Sequence, residues 1–122
     1  IISGTVAKAS ARTVTLEGSL GSFTVDLGQH DKPKKGEVAR FVVAADLAQI
    51  STTKPRRGNA IACSLISEEF IGSVVTLFLE AEEGSELKVQ LQERELSKMD
   101  LKQAAAIYLS WTADQAHYIG AD

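Results

Sequence analysis

Three stretches of the chain occur twice, in the same order, and the first two alternate apolar and polar residues with a period of two. Val14-Thr15-Leu16 recurs as Val75-Thr76-Leu77. Phe23-Thr24-Val25-Asp26-Leu27, after Gly21-Ser22, has the pattern of Leu87-Lys88-Val89-Gln90-Leu91 after Gly84-Ser85. Phe41-Val42-Val43-Ala44-Ala45-Asp46-Leu47 corresponds to Leu109-Ser110-Trp111-Thr112-Ala113-Asp114-Gln115. A period of two puts successive side chains on opposite faces of an extended strand, and a half-buried strand therefore alternates. Three ordered matches predict a duplicated β unit. The joint between the copies is the polar, basic segment Ser51-Thr52-Thr53-Lys54-Pro55-Arg56-Arg57-Gly58, which carries the second of the two prolines and has the composition of a linker.

Turn residues separate the strands at short intervals: Gly18-Ser19, Leu20-Gly21-Ser22, Pro33 to Gly36, Pro55 to Asn59, Gly72-Ser73 and Glu83-Gly84-Ser85. Glycine reaches positive φ at little steric cost and proline pre-sets φ for a turn. Many short strands with frequent turns predict a sandwich or small barrel, an all-β fold. Val74 to Leu79 is apolar on both faces, as in a strand covered on two sides. One short helix is expected over Glu93 to Met99, with Leu96 and Met99 facing inward, and a further helical turn at Ala113-Asp114-Gln115.

Composition narrows the function more than it names it. Of the 122 residues, 44% are hydrophobic and 24% charged, and the net charge is −3. That balance is globular, and it argues against a general nucleic-acid binder, which needs a basic footprint. No apolar run approaches the ~18 residues that span a bilayer, so no direct membrane insertion is expected. The chain opens with Ile1-Ile2-Ser3-Gly4 rather than Met, and the expectation is a piece of a longer protein. The single cysteine, Cys63, admits no internal disulfide and fits a reducing compartment.

No group of residues has the spacing of a catalytic or metal centre. There is no phosphate-binding loop of the Gly-x-x-x-x-Gly-Lys-Ser/Thr type. His30 and His117 stand apart, each without a second histidine at ligand spacing. Ser110, His117 and Asp114 have no nucleophile elbow beside them. Cys63 shares a face with Ile61 and Leu65 and is expected to be a buried apolar residue without an adjacent activating charge. Trp111 closes the Ile107-Leu109-Trp111 face as a core or interface anchor. Lys32-Pro33-Lys34-Lys35 and Lys54-Pro55-Arg56-Arg57 are read as solvated loops, or as a patch for an acidic partner or lipid surface. Glu80 to Glu86 is read as a solvated hairpin tip. Phe23, Phe41, Phe70 and Phe78 all fall at core-patterned positions, which leaves few aromatics for stacking bases. The sequence thus yields no catalytic residue, no cofactor-binding residue and no metal ligand.

The second half, Asn59 to Ile119, resembles the transport-associated OB (TOBE) domain that follows the nucleotide-binding domain in ATPase subunits of spermidine/putrescine-, ferric-iron- and sugar-type ABC importers. Asn59 stands where the family usually reads Asn-x-Leu-Pro-Gly. Glu69-Phe70-Ile71-Gly72-Ser73 is similar to its Glu-Phe-Leu-Gly-Ser turn, and Gly84 with Leu87-Lys88-Val89 to its next hairpin. Tyr108-Leu109-Ser110-Trp111-Thr112-Ala113-Asp114 resembles its closing Leu-Ser-Trp-x-Pro-Glu-Asp strand. Gly4-Thr5-Val6 and Val42 to Ser51 give the first half a fainter likeness. Ala60-Ile61-Ala62, Gln103-Ala104-Ala105 and Thr112-Ala113-Asp114-Gln115 depart from the family pattern at turns.

The resemblance implies two tandem OB-like units, 1–52 and 59–122, joined by 53–58, as one compact double module or with strands exchanged. It implies a non-catalytic accessory and regulatory role, with ATP and Mg bound in an upstream domain of the parent. It implies a homodimer that meets the nucleotide-binding domain and, through the parent, the permease subunits. The setting is the cytoplasmic side of the membrane. Two alternatives accompany it: an oxyanion-binding module of the molybdate type, with Ser97-Lys98 before the last long strand, and an OB-fold nucleic-acid-binding protein.

Overall fold

The computed structural model describes residues 1–56, 58–101 and 106–121, the last without its side chain. Arg57 of the second basic cluster and Gln103-Ala104-Ala105 lie outside the described residues. The chain is all-β: β1 (Ile2–Ala9), β2 (Thr13–Gly18), β3 (Gly21–Asp26), β4 (Val38–Val43), β5 (Gln49–Ser51), β6 (Asn59–Ile71), β7 (Val74–Ala81), β8 (Glu86–Gln92), β9 (Ile107–Trp111) and β10 (Ala116–Ala121). The helix α1 is a single turn, Glu93–Leu96, shorter than the spacing of Leu96 and Met99 suggests, although both side chains still pack on the core. Ala113–Gln115 is a 3-10 turn, closed by a Gln115 side chain that accepts from the Thr112 N–H (3.0 Å).

The strands form two five-stranded sheets, ordered β10-β4-β1-β2-β3 and β5-β9-β6-β7-β8. Strand for strand the sheets repeat one another, with one exception: the outer strands are exchanged. β5 follows the first four strands in sequence but pairs with β9, Ile50 opposite Leu109. β10 follows β9 but pairs with β4, Tyr118 opposite Phe41. The short connections at 44–48 and 112–115 cross over beside each other, and the Ala44 N–H donates to the Gln115 carbonyl (2.9 Å).

The registers fix which residues are equivalent. β1 and β6 each shift register just after a pair, Val6–Leu16 and Leu65–Leu79. Setting Val6 on Leu65 brings Ile2 onto Ile61, and their partners Phe41 and Leu109 coincide. Leu16 then matches Leu79, and Phe23 matches Leu87. The sequence matches at Phe23/Leu87 and Phe41/Leu109 therefore hold in space. The match of Val14 with Val75 is two residues out, since Val14 coincides with Leu77. A slip of two returns every side chain to its own face, so alternation alone cannot detect it.

One core lies between the sheets. Val14, Leu16, Val25 and Phe41 from one sheet, and Val75, Leu77 and Leu109 from the other, are completely buried. Trp111 reaches across, with its ring centroid 5.5 Å from Phe23 and 5.9 Å from Phe41. Beside it sits Asn59, the one buried polar residue among those described. Its Oδ1 accepts from the Thr24 N–H and its Nδ2 donates to the Thr24 carbonyl, both at 2.8 Å. Thr24 lies on β3, an edge strand, so the carboxamide acts as a one-residue strand that caps the edge and ties the sheets together. The Trp111 indole N–H, buried nearby, finds no partner among the described residues; ring packing on two phenylalanines offsets that orphaned donor.

Asn59→Ala leaves the Thr24 N–H and carbonyl without their partner in a part-buried site. The expected loss is about 2–3 kcal/mol, read as a lower urea midpoint. Asn59→Asp keeps only the acceptor and is expected to lose at least as much.

Candidate functional site

Polar side chains do not converge. Ser110 lies in the second sheet, hydrogen-bonded through its strand to β5 and β6, whereas His117 lies in the first, opposite Val42. Asp114 accepts a hydrogen bond from the Thr112 hydroxyl and so serves the turn. His30 meets the edge of the Tyr118 ring at 5.2 Å. Gly120, at φ 125°, follows a register irregularity in β10, and a Cβ there would point at the His30 imidazole. Among the described residues no three His, Cys, Asp or Glu side chains are placed to hold a metal ion, and no helix is long and apolar enough to cross a membrane.

Ser97 and Lys98 follow α1. The Ser97 hydroxyl donates to the Arg94 carbonyl (2.9 Å), and the Lys98 ammonium stands in solvent 4.0 Å from Glu95. Neither group is aimed into a closed pocket; the hollow beside them is formed by Ser73, Gln92, Glu93, Arg94 and Ser97. The first basic cluster is exposed at Lys32, Lys34 and Lys35, as are Lys54 and Arg56. The acidic tip is more than solvated. Glu83 accepts from the hydroxyls of Ser85 and of Ser19 (2.9 Å for Ser19), which joins the β7–β8 turn to the β2–β3 turn and holds the carboxyl below its usual range.

Cys63 is half-buried, with its thiol 3.6 Å from the Ile107 carbonyl. Burial pushes it from 9.0 up to about 11, with a backbone hydrogen bond involving Leu109 acting in the opposite sense. Burial, and then the charge of Glu37, also raise the Tyr118 phenol.

Several large apolar side chains are also left to solvent. β6 runs for 13 residues, and its outer half projects with β7 as a hairpin closed by Gly72-Ser73. Gly72 takes φ 61°, the conformation a two-residue turn demands at its first central position. On this outer half Ile66, Phe70 and Ile71 are 60, 54 and 68% exposed. Phe70 is thus not a core residue. The alternation that placed it there continues beyond the point where the other sheet still covers β6. Phe78 is half-buried, while Phe23 and Phe41 are interior. The hairpin's root borders an apolar cleft of about 470 Å³ between the sheets, lined among others by Ile2, Val43, Ile66, Leu87 and Leu109.

The model of the TOBE domain family matches residues 43–119, more than half of the chain, and these run from the end of β4 to the exchanged β10. The chain belongs to the TOBE domain family. Among solved structures, this TOBE module is similar to the cytoplasmic molybdate-binding protein ModG, in a crystal form with molybdate bound. The TM-score is 0.78 at 15% identity, over 95% of this chain and 92% of that one. The likeness establishes the fold, including the first half that the family model leaves out. No curated protein matches the chain.

The buried thiol of the TOBE module gives a measurable pH dependence. Folding holds the Cys63 proton that the unfolded chain releases above its ordinary value. This site's effect on stability is therefore absent at neutral pH and becomes a loss as pH rises from 9.0 towards about 11. Wild type is expected to lose more stability on alkalinisation than Cys63→Ala, by urea titration across that range. Iodoacetamide is expected to label native Cys63 about a hundredfold more slowly than the urea-unfolded thiol near neutral pH.

Proposed function

We propose that this module is a non-catalytic accessory and dimerisation domain of the ATP-binding subunit of an ABC importer, acting on the cytoplasmic side of the membrane. The observation that carries the reading is the contrast between scattered polar groups and the exposed Ile66, Phe70 and Ile71 on the projecting half of β6. A surface of that kind suits protein contact rather than chemistry. The TOBE family match, together with the motifs at Glu69–Ser73 and Tyr108–Asp114, supports placement behind a nucleotide-binding domain.

Physically, a paired module keeps two ATPase domains at high effective concentration through each opening and closing. It also biases one of those states if an effector binds the two states unequally. ATP and Mg are handled by the upstream domain, and the permease is met through the parent.

Light scattering at rising concentration is expected to show a weak two-fold homodimer, and Phe70→Ser with Ile71→Ser to shift it to monomer with little loss of stability. A wild-type chain that stays monomeric at millimolar concentration rules out the dimer.

A second reading, an oxyanion-binding module, is favoured by the likeness to molybdate-binding ModG along nearly the whole of both chains. Ser97 and Lys98 would then need a second copy to close a site around the anion, because one chain leaves Lys98 in solvent. Calorimetry with molybdate, tungstate and sulfate decides: on the transporter reading no heat of binding is expected, and on the oxyanion reading saturable heat that Lys98→Ala removes.

A further inference from the structure

The β6–β7 hairpin is longer than its equivalent in the first half. Past the register irregularities, Ala9–Val14 coincides with Glu68–Leu77. The β1–β2 hairpin then closes, with the Ser10 N–H donating to the Thr13 carbonyl (2.8 Å). Glu69 and Thr76 hold the positions of Ser10 and Thr13, but beyond them stand two further pairs, Phe70–Val75 and Ile71–Val74. Val75 is completely buried, whereas Phe70 and Ile71 are left to solvent. The repeat does not require this extension, and its exposed apolar tip has the character of a contact surface. Between Asn59 and Leu79 the only charged residues are Glu68 and Glu69, which adjoin the tip.

That charge decides what the tip can meet. Tip on tip, two copies would bring their Glu68 and Glu69 carboxylates together around the apolar contact, and like charges juxtaposed at an interface cost affinity. An anionic lipid surface is opposed for the same reason. The first half of the chain offers the opposite sign. Val38 and Ile119 are exposed on the adjacent strands β4 and β10, while their neighbours Ala39 and Tyr118 face the core. Thr5 is opposite Val38, and Lys35 borders Thr5 and Ala7. Lys34 and Lys8, next in sequence to Lys35 and Ala7, are exposed as well. The acids beside them are Glu17, opposite Thr5, and the half-buried Glu37. The lysine stems add apolar area around Val38 while their ammonium groups stay in water.

We propose that the tip of the β6–β7 hairpin docks on the outer face of β4 and β10 in a second copy, a contact that rests on the module being a homodimer. Phe70 and Ile71 cover Val38 and Ile119, and Glu68 and Glu69 lie beside Lys34 and Lys35. About a two-fold axis each copy gives its hairpin and receives the other's, so the contact is made reciprocally. The duplication supplies both surfaces: one half carries the acidic apolar tip, and the other the basic apolar face.

Sedimentation equilibrium of the full chain tests this. Raising the salt from about 50 to about 500 mM screens the attraction between tip and face, so the dimer Kd is expected to rise severalfold; a tip-on-tip dimer would tighten instead. Lys34→Glu with Lys35→Glu, and separately Glu69→Lys, are each expected to weaken self-association about tenfold, with urea midpoints close to wild type because the positions are exposed. Mixed in equal amounts, the two variants pair opposite charges at both contacts and are expected to form a heterodimer of about wild-type affinity. A wild-type chain that is monomeric at millimolar concentration removes the dimer and this contact with it. A wild-type dimer that tightens with salt, or that the paired lysine substitutions leave as strong as before, keeps the dimer and overturns the contact. A mixture that does not recover overturns it too. The salt series needs no variant and decides if one fails to fold.

Discussion

Each sheet is completed by a strand from the other half of the chain, and the rest of the architecture follows from that exchange. With β5 beside β9 and β10 beside β4, neither repeat can close on itself. The two connections that carry the exchange lie against each other, joined between Ala44 and Gln115. The sheets are thereby brought face to face and bury one common core. An unexchanged pair of small β units would each have to find a core of its own, and a unit of about 60 residues buries a smaller share of its surface than one of twice the length.

What the exchange leaves open is the inner edges, β3 and β8, and the molecule treats them differently. On β3 the Asn59 carboxamide satisfies both backbone groups of Thr24, and Trp111 with two phenylalanines seals the space beside it. On β8 the Gln90 N–H is met by the carbonyl of Ala45. The duplication is symmetric in backbone and asymmetric in its packing: Trp111, Phe23 and Phe41 fill one end of the interface, and Val43, Leu87 and Leu109 hold the equivalent positions at the other.

The strands were legible because burial here alternates along each of them. Val14, Leu16, Phe23, Val25, Val75, Leu77, Leu79, Leu87 and Val89 are all interior as their spacing requires. The repeat was legible too, and so was the 3-10 turn at Ala113. Three things were not. The two-residue slip between β2 and β7 is invisible to a pattern of period two. The exchange depends on which of two equivalent edges a strand meets, and a local sequence does not encode that choice. Phe70 reads as interior because alternation reports a strand's own faces, not the extent of the opposite sheet. Asn59 is a family landmark in the sequence, but its role depends on Thr24, which the fold brings to it across the interface.

Of the ten strands 116–121 is synthesised last, yet it forms the outer member of the sheet built by residues 2–43. During synthesis the early hairpins can form, but their sheet keeps an open edge at β4 until residues 116–121 have emerged. Such long-range pairing is slow and leaves apolar surface uncovered in the meantime. The exchange that unites the finished module thus also sets a late point of commitment in its biogenesis, and a nascent chain paused before residue 116 is the species on which a chaperone has most to hold.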